Sequence, residues 1–123
     1  MSTVLVWVGV CALGGLGAVC RLTVDKAISR RTSGSFPYGT LAVNTSGALL
    51  LGFLAGLALP PHLALLAGTG FVGSYTTFST WMFEAQRLGE DGAFAVMWLY
   101  LLGSMVAGLA ATGAGWLLGG ALG

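Results

Sequence analysis

The chain has 123 residues, 56% of them hydrophobic and only 7% charged. Soluble domains carry roughly 25% charged residues, so this composition excludes a water-soluble globular domain and leaves one compact domain, residues 1–123, that folds in lipid. The net charge of +1 excludes little by itself; the information lies in where the few Lys, Arg, Asp and Glu residues fall, and they fall in two clusters.

The first apolar run covers about residues 3–20, close to the ~20 residues that cross a bilayer. No basic residue precedes it, so it reads as a retained span and not as a cleaved signal. Gly14-Gly15-Leu16-Gly17-Ala18 is its small-residue half, suited to close helix contact. Cys11 and Cys20 lie on opposite faces of such a helix, about 13 Å apart along its axis, too far for a disulfide. They read as small apolar residues. Beyond Arg21, the apolar positions Leu22, Val24 and Ile28 among basic residues predict a separate short interfacial helix, ended by Ser33-Gly34-Ser35-Phe36-Pro37.

The second run, about 38–59, contains Asn44. An unpaired amide in hydrocarbon costs on the order of 4 to 8 kcal/mol by alkane transfer, so Asn44 must face protein or a pore. Gly39, Thr40, Thr45, Ser46 and Gly47 surround it, and Gly52 and Gly56 form a GxxxG step further on. Pro60-Pro61-His62 makes a turn, with His62 read as an interfacial residue.

The third run, about 63–83, carries Gly70-Phe-Val-Gly-Ser-Tyr-Thr-Thr-Phe-Ser-Thr-Trp81. Two glycines, a tyrosine and a series of hydroxyls inside a span predict a broken helix, because backbone can open within a membrane only where it is buried in protein or lines a polar cavity. Such breaks present backbone dipoles to ions, so the expectation is an ion site near mid-membrane. A solvated charged loop with Glu84, Arg87, Glu90 and Asp91 is expected next. The fourth run, about 93–118, has Tyr100 and Ser104 one turn apart, and Gly103, Ala107, Ala111, Gly115 and Gly119 form a small-residue ridge at four-residue spacing.

Four spans place both termini on one side. Arg21, Lys26, Arg30, Arg31 and Arg87 all lie on the other, so the positive-inside rule predicts cytoplasmic loops and both termini outside. The predicted architecture is an all-α membrane protein of four transmembrane helices with a broken third helix. The small-residue surfaces suggest that it dimerises.

Three motifs stand in order: Gly14-Gly15 with Gly17-Ala18 and Arg21; Gly39-Thr-Leu-Ala-Val-Asn44-x-x-Gly47; and Gly70-Phe-Val-Gly73-x-x-Thr76-Thr-Phe78-Ser-Thr80. Over essentially the whole chain they resemble the small fluoride channels of the Fluc or CrcB family. The resemblance implies an antiparallel dimer with two narrow fluoride pores and a central structural sodium ion (Na+). It gives Gly73 and Thr76 the role of offering carbonyls to that ion. It makes Asn44 a fluoride donor, Phe78 a ring edge in the pore, Ser79 and Thr80 hydroxyl donors, and Arg21 a vestibule cation. Tyr100 and Ser104 resemble the family's polar track. Trp81 stands where the family usually has a second phenylalanine, and adds an N–H.

Physical chemistry supports these roles independently. A pore for a small, tightly hydrated anion must replace its water with donors, and Asn, Ser, Thr and aromatic edges supply them without a full charge that would hold the ion too tightly. Plainer readings stand beside them: packing aromatics for Phe78 and Trp81, an interhelical hydrogen bond for Asn44, an interfacial anchor for Arg21. A dual-topology homodimer should show little Lys/Arg bias, so the firm bias points to one half of a paired heterodimer with an oppositely oriented subunit, with a homodimer as the alternative. The competing function is a small four-helix multidrug exporter, which needs a carboxylate inside the membrane; none lies within the four predicted spans. The hydroxyls have no nearby general base, so no enzyme is expected.

Overall fold

The computed structural model describes residues 2–123, and their ordered elements are all helical. In chain order these are α1 (Thr3–Arg31), α2 (Tyr38–Leu57), α3 (Pro61–Ala64), a π-helical stretch (Leu65–Val72), α4 (Gly73–Tyr75), α5 (Ser79–Glu90) and α6 (Phe94–Leu122). Three of them, α1, α2 and α6, are long and apolar enough to cross a membrane. The third crossing is assembled from the pieces between residues 61 and 90.

α1 corrects one expectation. There is no separate interfacial helix after Arg21; a single 29-residue helix runs to Arg31. Nothing between Ala18 and Arg31 is Gly or Pro, so the helix has no reason to stop, and at about 43 Å it outruns the ~30 Å hydrocarbon core. Ser2 caps its start by accepting from Leu5 N–H, and Arg30 and Arg31 in its last turn suit the negative end of the helix dipole. Cys11 and Cys20 are both free.

α2 ends at Ala58, whose φ of 52° places a side-chain-bearing residue in the left-handed region just before the two prolines. Glycine adopts that conformation without the Cβ penalty. Ala58→Gly is therefore expected to stabilise the fold by about 1 kcal/mol, read as a higher thermal midpoint in detergent.

The closest pairing in the bundle is α2 with α6, and the next is α1 with the π-helical stretch. Both rest on missing side chains. On α2, Gly52 lies against the Thr112 carbonyl and Gly56 against that of Trp116; on α6, Gly115 lies against Leu49 and Gly119 against Phe53. The small-residue ridge of α6 thus packs through its second half, whereas Gly103 meets nothing within 4 Å. Gly17 of α1 sits under the Phe71 carbonyl, where a Cβ would come within 2.5 Å of the oxygen.

The expected charged loop after residue 83 is also corrected. α5 continues through Glu84, Arg87 and Glu90, because Trp81, Ala85 and Leu88 recur at helical spacing and pack against Tyr100.

Candidate functional site

The third crossing leaves its helical path at Thr76, whose ψ of 160° is extended, and resumes at Ser79. No glycine or proline stands at the break itself. Side chains hold it open. Asn44 of α2 donates through Nδ2 to the Thr77 carbonyl and accepts the Thr77 N–H on Oδ1, both at 2.8 Å. The Thr76 hydroxyl turns back to the Val72 carbonyl at 3.0 Å, and the Thr77 hydroxyl accepts the Thr80 N–H at 3.2 Å.

These bonds have a consequence for two carbonyls. In an unbroken helix Gly73 C=O would receive the Thr77 N–H and Thr76 C=O the Thr80 N–H. Here the first donor goes to Asn44 and the second to the Thr77 hydroxyl. Gly73 and Thr76, the residues expected to hold sodium, are two of the four residues, with Ser74 and Tyr75, whose carbonyls lose their helical donors at the break. Neutral carbonyl oxygens suit a hard cation, and among the described residues no cluster of His, Cys, Asp or Glu is placed to hold a metal. On the other side of the break, α5 begins with N-terminal N–H groups and the positive end of its dipole.

Two open recesses flank the break. One, of about 690 Å³, is lined by Asn44, Gly73, Thr76, Thr77, Phe78 and Trp81 among others. The second, of about 480 Å³, brings Arg21 to Gly73, Thr76, Thr77, Phe78 and Ser79. The Phe78 ring is 71% exposed on the single chain and meets Trp81 edge to face, 5.6 Å between centroids. Ser79 is exposed and Thr80 half-buried. Asn44, placed in the second predicted span, therefore serves the third: its two bonds are spent on Thr77, and its second amide hydrogen remains for a ligand.

Tyr100 and Ser104 line neither recess. Tyr100 is fully buried, and its hydroxyl donates to Glu84 Oε1 at 3.3 Å, while Ser104 Oγ is buried without a partner. Thr40, 2% exposed, faces the same carboxylate. Glu84 is thus half-buried against α2 and α6 instead of solvated in a loop, and sequence reasoning missed it. The signal was present: Glu84 shares the helical face of Trp81, Ala85 and Leu88. Tyr100→Phe should leave this carboxylate without its phenol donor and lower stability by about 1 to 3 kcal/mol, seen in thermal unfolding of the detergent-solubilised protein.

An all-helical membrane bundle whose third crossing opens into free carbonyls on one side and free donors on the other has the architecture of an ion-handling membrane protein. The particular kind follows from comparison: residues 8–116 match the family model described as CrcB-like protein, Camphor Resistance (CrcB), and the chain belongs to that family. The Mycobacterium tuberculosis protein named Fluoride-specific ion channel FluC 2 is 61% identical over 109 residues, covering 89% of this chain and 86% of its own. Fluoride-specific ion channel FluC 1 of Leifsonia xyli is 44% identical over 122 residues, 96% and 89% of the two chains. A Moorella thermoacetica relative, Fluoride-specific ion channel FluC 2, is 41% identical over 121 residues, 96% and 99%.

Proposed function

We propose that this chain is a subunit of a passive, fluoride-selective channel that lets cytoplasmic fluoride leave the cell and so limits its toxicity. The observation that carries the reading is the Asn44-clamped break, in a chain whose relatives are named fluoride-specific ion channels. An inside-negative potential, worth about 2.3 kcal/mol per charge per 100 mV, drives the anion outward without another energy source.

The flanking recesses are open on a single chain and Phe78 is exposed, which supports a second subunit as the missing wall. Two antiparallel subunits would close the pores and bring the Gly73 and Thr76 carbonyls of both to one axial sodium ion, which would pin the dimer. Asn44, Phe78, Ser79, Thr80 and Trp81 would meet fluoride in the membrane, Arg21 would attract it at the vestibule, and Tyr100 and Ser104 would continue the polar path. The chain sits in the plasma membrane with both termini outside. Reporter fusions at residue 123 should accordingly be accessible from outside; equal accessibility from both faces would show dual topology instead.

The multidrug-exporter reading loses its footing to the family membership. The absence of a membrane carboxylate no longer decides the matter, because Glu84 is half-buried beside Tyr100. The test is fluoride efflux from liposomes containing this chain alone, read with a fluoride electrode beside a chloride control. Rapid, fluoride-selective efflux establishes a self-sufficient channel. Silence from folded protein calls for co-reconstitution with a subunit of opposite Lys/Arg bias, and silence from that pair as well would sink the proposal.

A further inference from the structure

A groove beside the first turns of α2 takes no part in the break. It encloses about 420 Å³ between the end of α1, the start of α2 and the middle of α6, with Ile28, Thr32, Tyr38, Ala42, Thr45 and Ala107 in its walls. The glycines that bring α2 and α6 together lie in their second halves, while the first half of α6 packs on α5 through Tyr100. Ala42 and Ala107 are too small to fill the space that is left. Thr32 spends its hydroxyl on the Ile28 carbonyl, so the walls are mainly apolar. Thr45 lies about 10 Å deeper along α2 than Tyr38. At 100° per residue, the groove residues of α2 stand about a third of a turn from Asn44, Gly47, Ala48 and Leu51, which line the larger recess. A second subunit seated on the recesses faces another side of α2 and leaves the groove to lipid.

Charge selects the lipid. α1 outruns the hydrocarbon core, so its last turns reach headgroup level, and they carry Lys26, Arg30 and Arg31, all exposed. The one acid of this helix, Asp25, lies against Gly39 of α2 and accepts the Ser29 hydroxyl. Arg31 follows Ile28 by three positions and so flanks the groove; Lys26 and Arg30 lie on the opposite side of α1. Tyr38 is exposed at the mouth, at the membrane level that tyrosine favours, and its phenol is a donor. We infer that this groove binds an anionic phospholipid. One acyl chain lies along α2 between Ala42 and Ala107, and the phosphate meets Arg31, whose planar guanidinium suits it, and the Tyr38 hydroxyl. The negative surface of the cytoplasmic leaflet, where the predicted orientation puts this end of α1, supplies such lipids. The site goes beyond the channel reading and does not require that the chain conduct fluoride.

Native mass spectrometry tests it on the full-length protein, delipidated in neutral detergent and titrated with phosphatidylglycerol or with phosphatidylcholine. The expected result is one phosphatidylglycerol retained per subunit, with phosphatidylcholine bound about fivefold more weakly, the factor that goes with one Lys or Arg at an anionic headgroup. Arg31→Gln should remove most of that preference. Arg30→Gln, an equal loss of charge on the far side of α1, should keep it. Ala42→Leu fills the groove and should lower retention of both lipids; Arg31 is exposed, so its variant carries the test even where Ala42→Leu fails to fold. Equal retention of the two lipids by the wild type overturns the inference. Equal losses from the two arginine variants overturn it as well, because they show a diffuse attraction to the basic helix end. A folded Ala42→Leu protein that keeps its phosphatidylglycerol also overturns it, and a smaller species on size exclusion would then assign the groove to a second copy of the chain.

Discussion

Asn44→Ala is expected to abolish fluoride efflux and to loosen the fold in the same stroke. The side chain satisfies both backbone groups of Thr77 at 2.8 Å, in a crossing where water is scarce. Its removal leaves a half-buried N–H and C=O unpaired, at about 1 to 3 kcal/mol each. The Thr77 N–H could then return to Gly73 C=O, re-forming the helix through the break and withdrawing one of the free carbonyls. Efflux from liposomes should fall to about a hundredth of wild type or less, the effect of losing roughly 3 kcal/mol of positioning, with a lowered thermal midpoint. Asn44→Asp separates clamp from donor: its carboxylate still accepts the Thr77 N–H but cannot donate to the carbonyl and repels an anion, so it should fold better than the Ala variant and remain silent. Normal efflux from Asn44→Ala would remove Asn44 from the site.

The second large effect concerns packing. Gly52 and Gly115 face opposite helices with backbone atoms directly above the position of a Cβ, and a backbone carbonyl cannot swing aside as a side chain can. Overpacking of this kind costs typically about 1 to 3 kcal/mol, occasionally more, and α2 carries Asn44 on the same rigid rod. Gly52→Leu and Gly115→Leu should each prevent recovery of folded protein, and the paired Gly52→Ala, Gly115→Ala variant should melt well below wild type. Gly113 of the same helix meets nothing within 4 Å, so Gly113→Ala should change subunit stability by no more than the ~1 kcal/mol of helix propensity. Size-exclusion profiles and thermal melts of the four variants would settle the contrast; equal behaviour would contradict close α2–α6 contact.

How far the sequence could be read depended on whether the cause was local. The spans follow from runs of apolar residues, and the turn at Pro60-Pro61 follows from two residues that cannot continue a helix. The need for a break in the third crossing could be read from hydroxyls and glycines that lipid does not tolerate without a partner. Where local signals were over-read, the structure differs. Charge after Arg21 suggested a new helix, yet without Gly or Pro the first one simply continues to Arg31. Charge after Phe83 suggested a loop, yet the 81, 85, 88 spacing keeps α5 helical.

By itself, then, the sequence determined a four-crossing membrane bundle, the residue types fit to meet a small anion, and the stretch in which the third helix must open, because each depends on neighbours within a few turns. Only the tertiary structure decided where that helix opens, which carbonyls it frees and that Glu84 is drawn against Tyr100. Those outcomes turn on Asn44 and Thr77, 33 positions apart, and on Tyr100 and Glu84, 16 apart. A hydrogen bond selects its partner by position in space, and only the α2–α6 and α1–third-crossing contacts, made close by glycine, put those partners within reach.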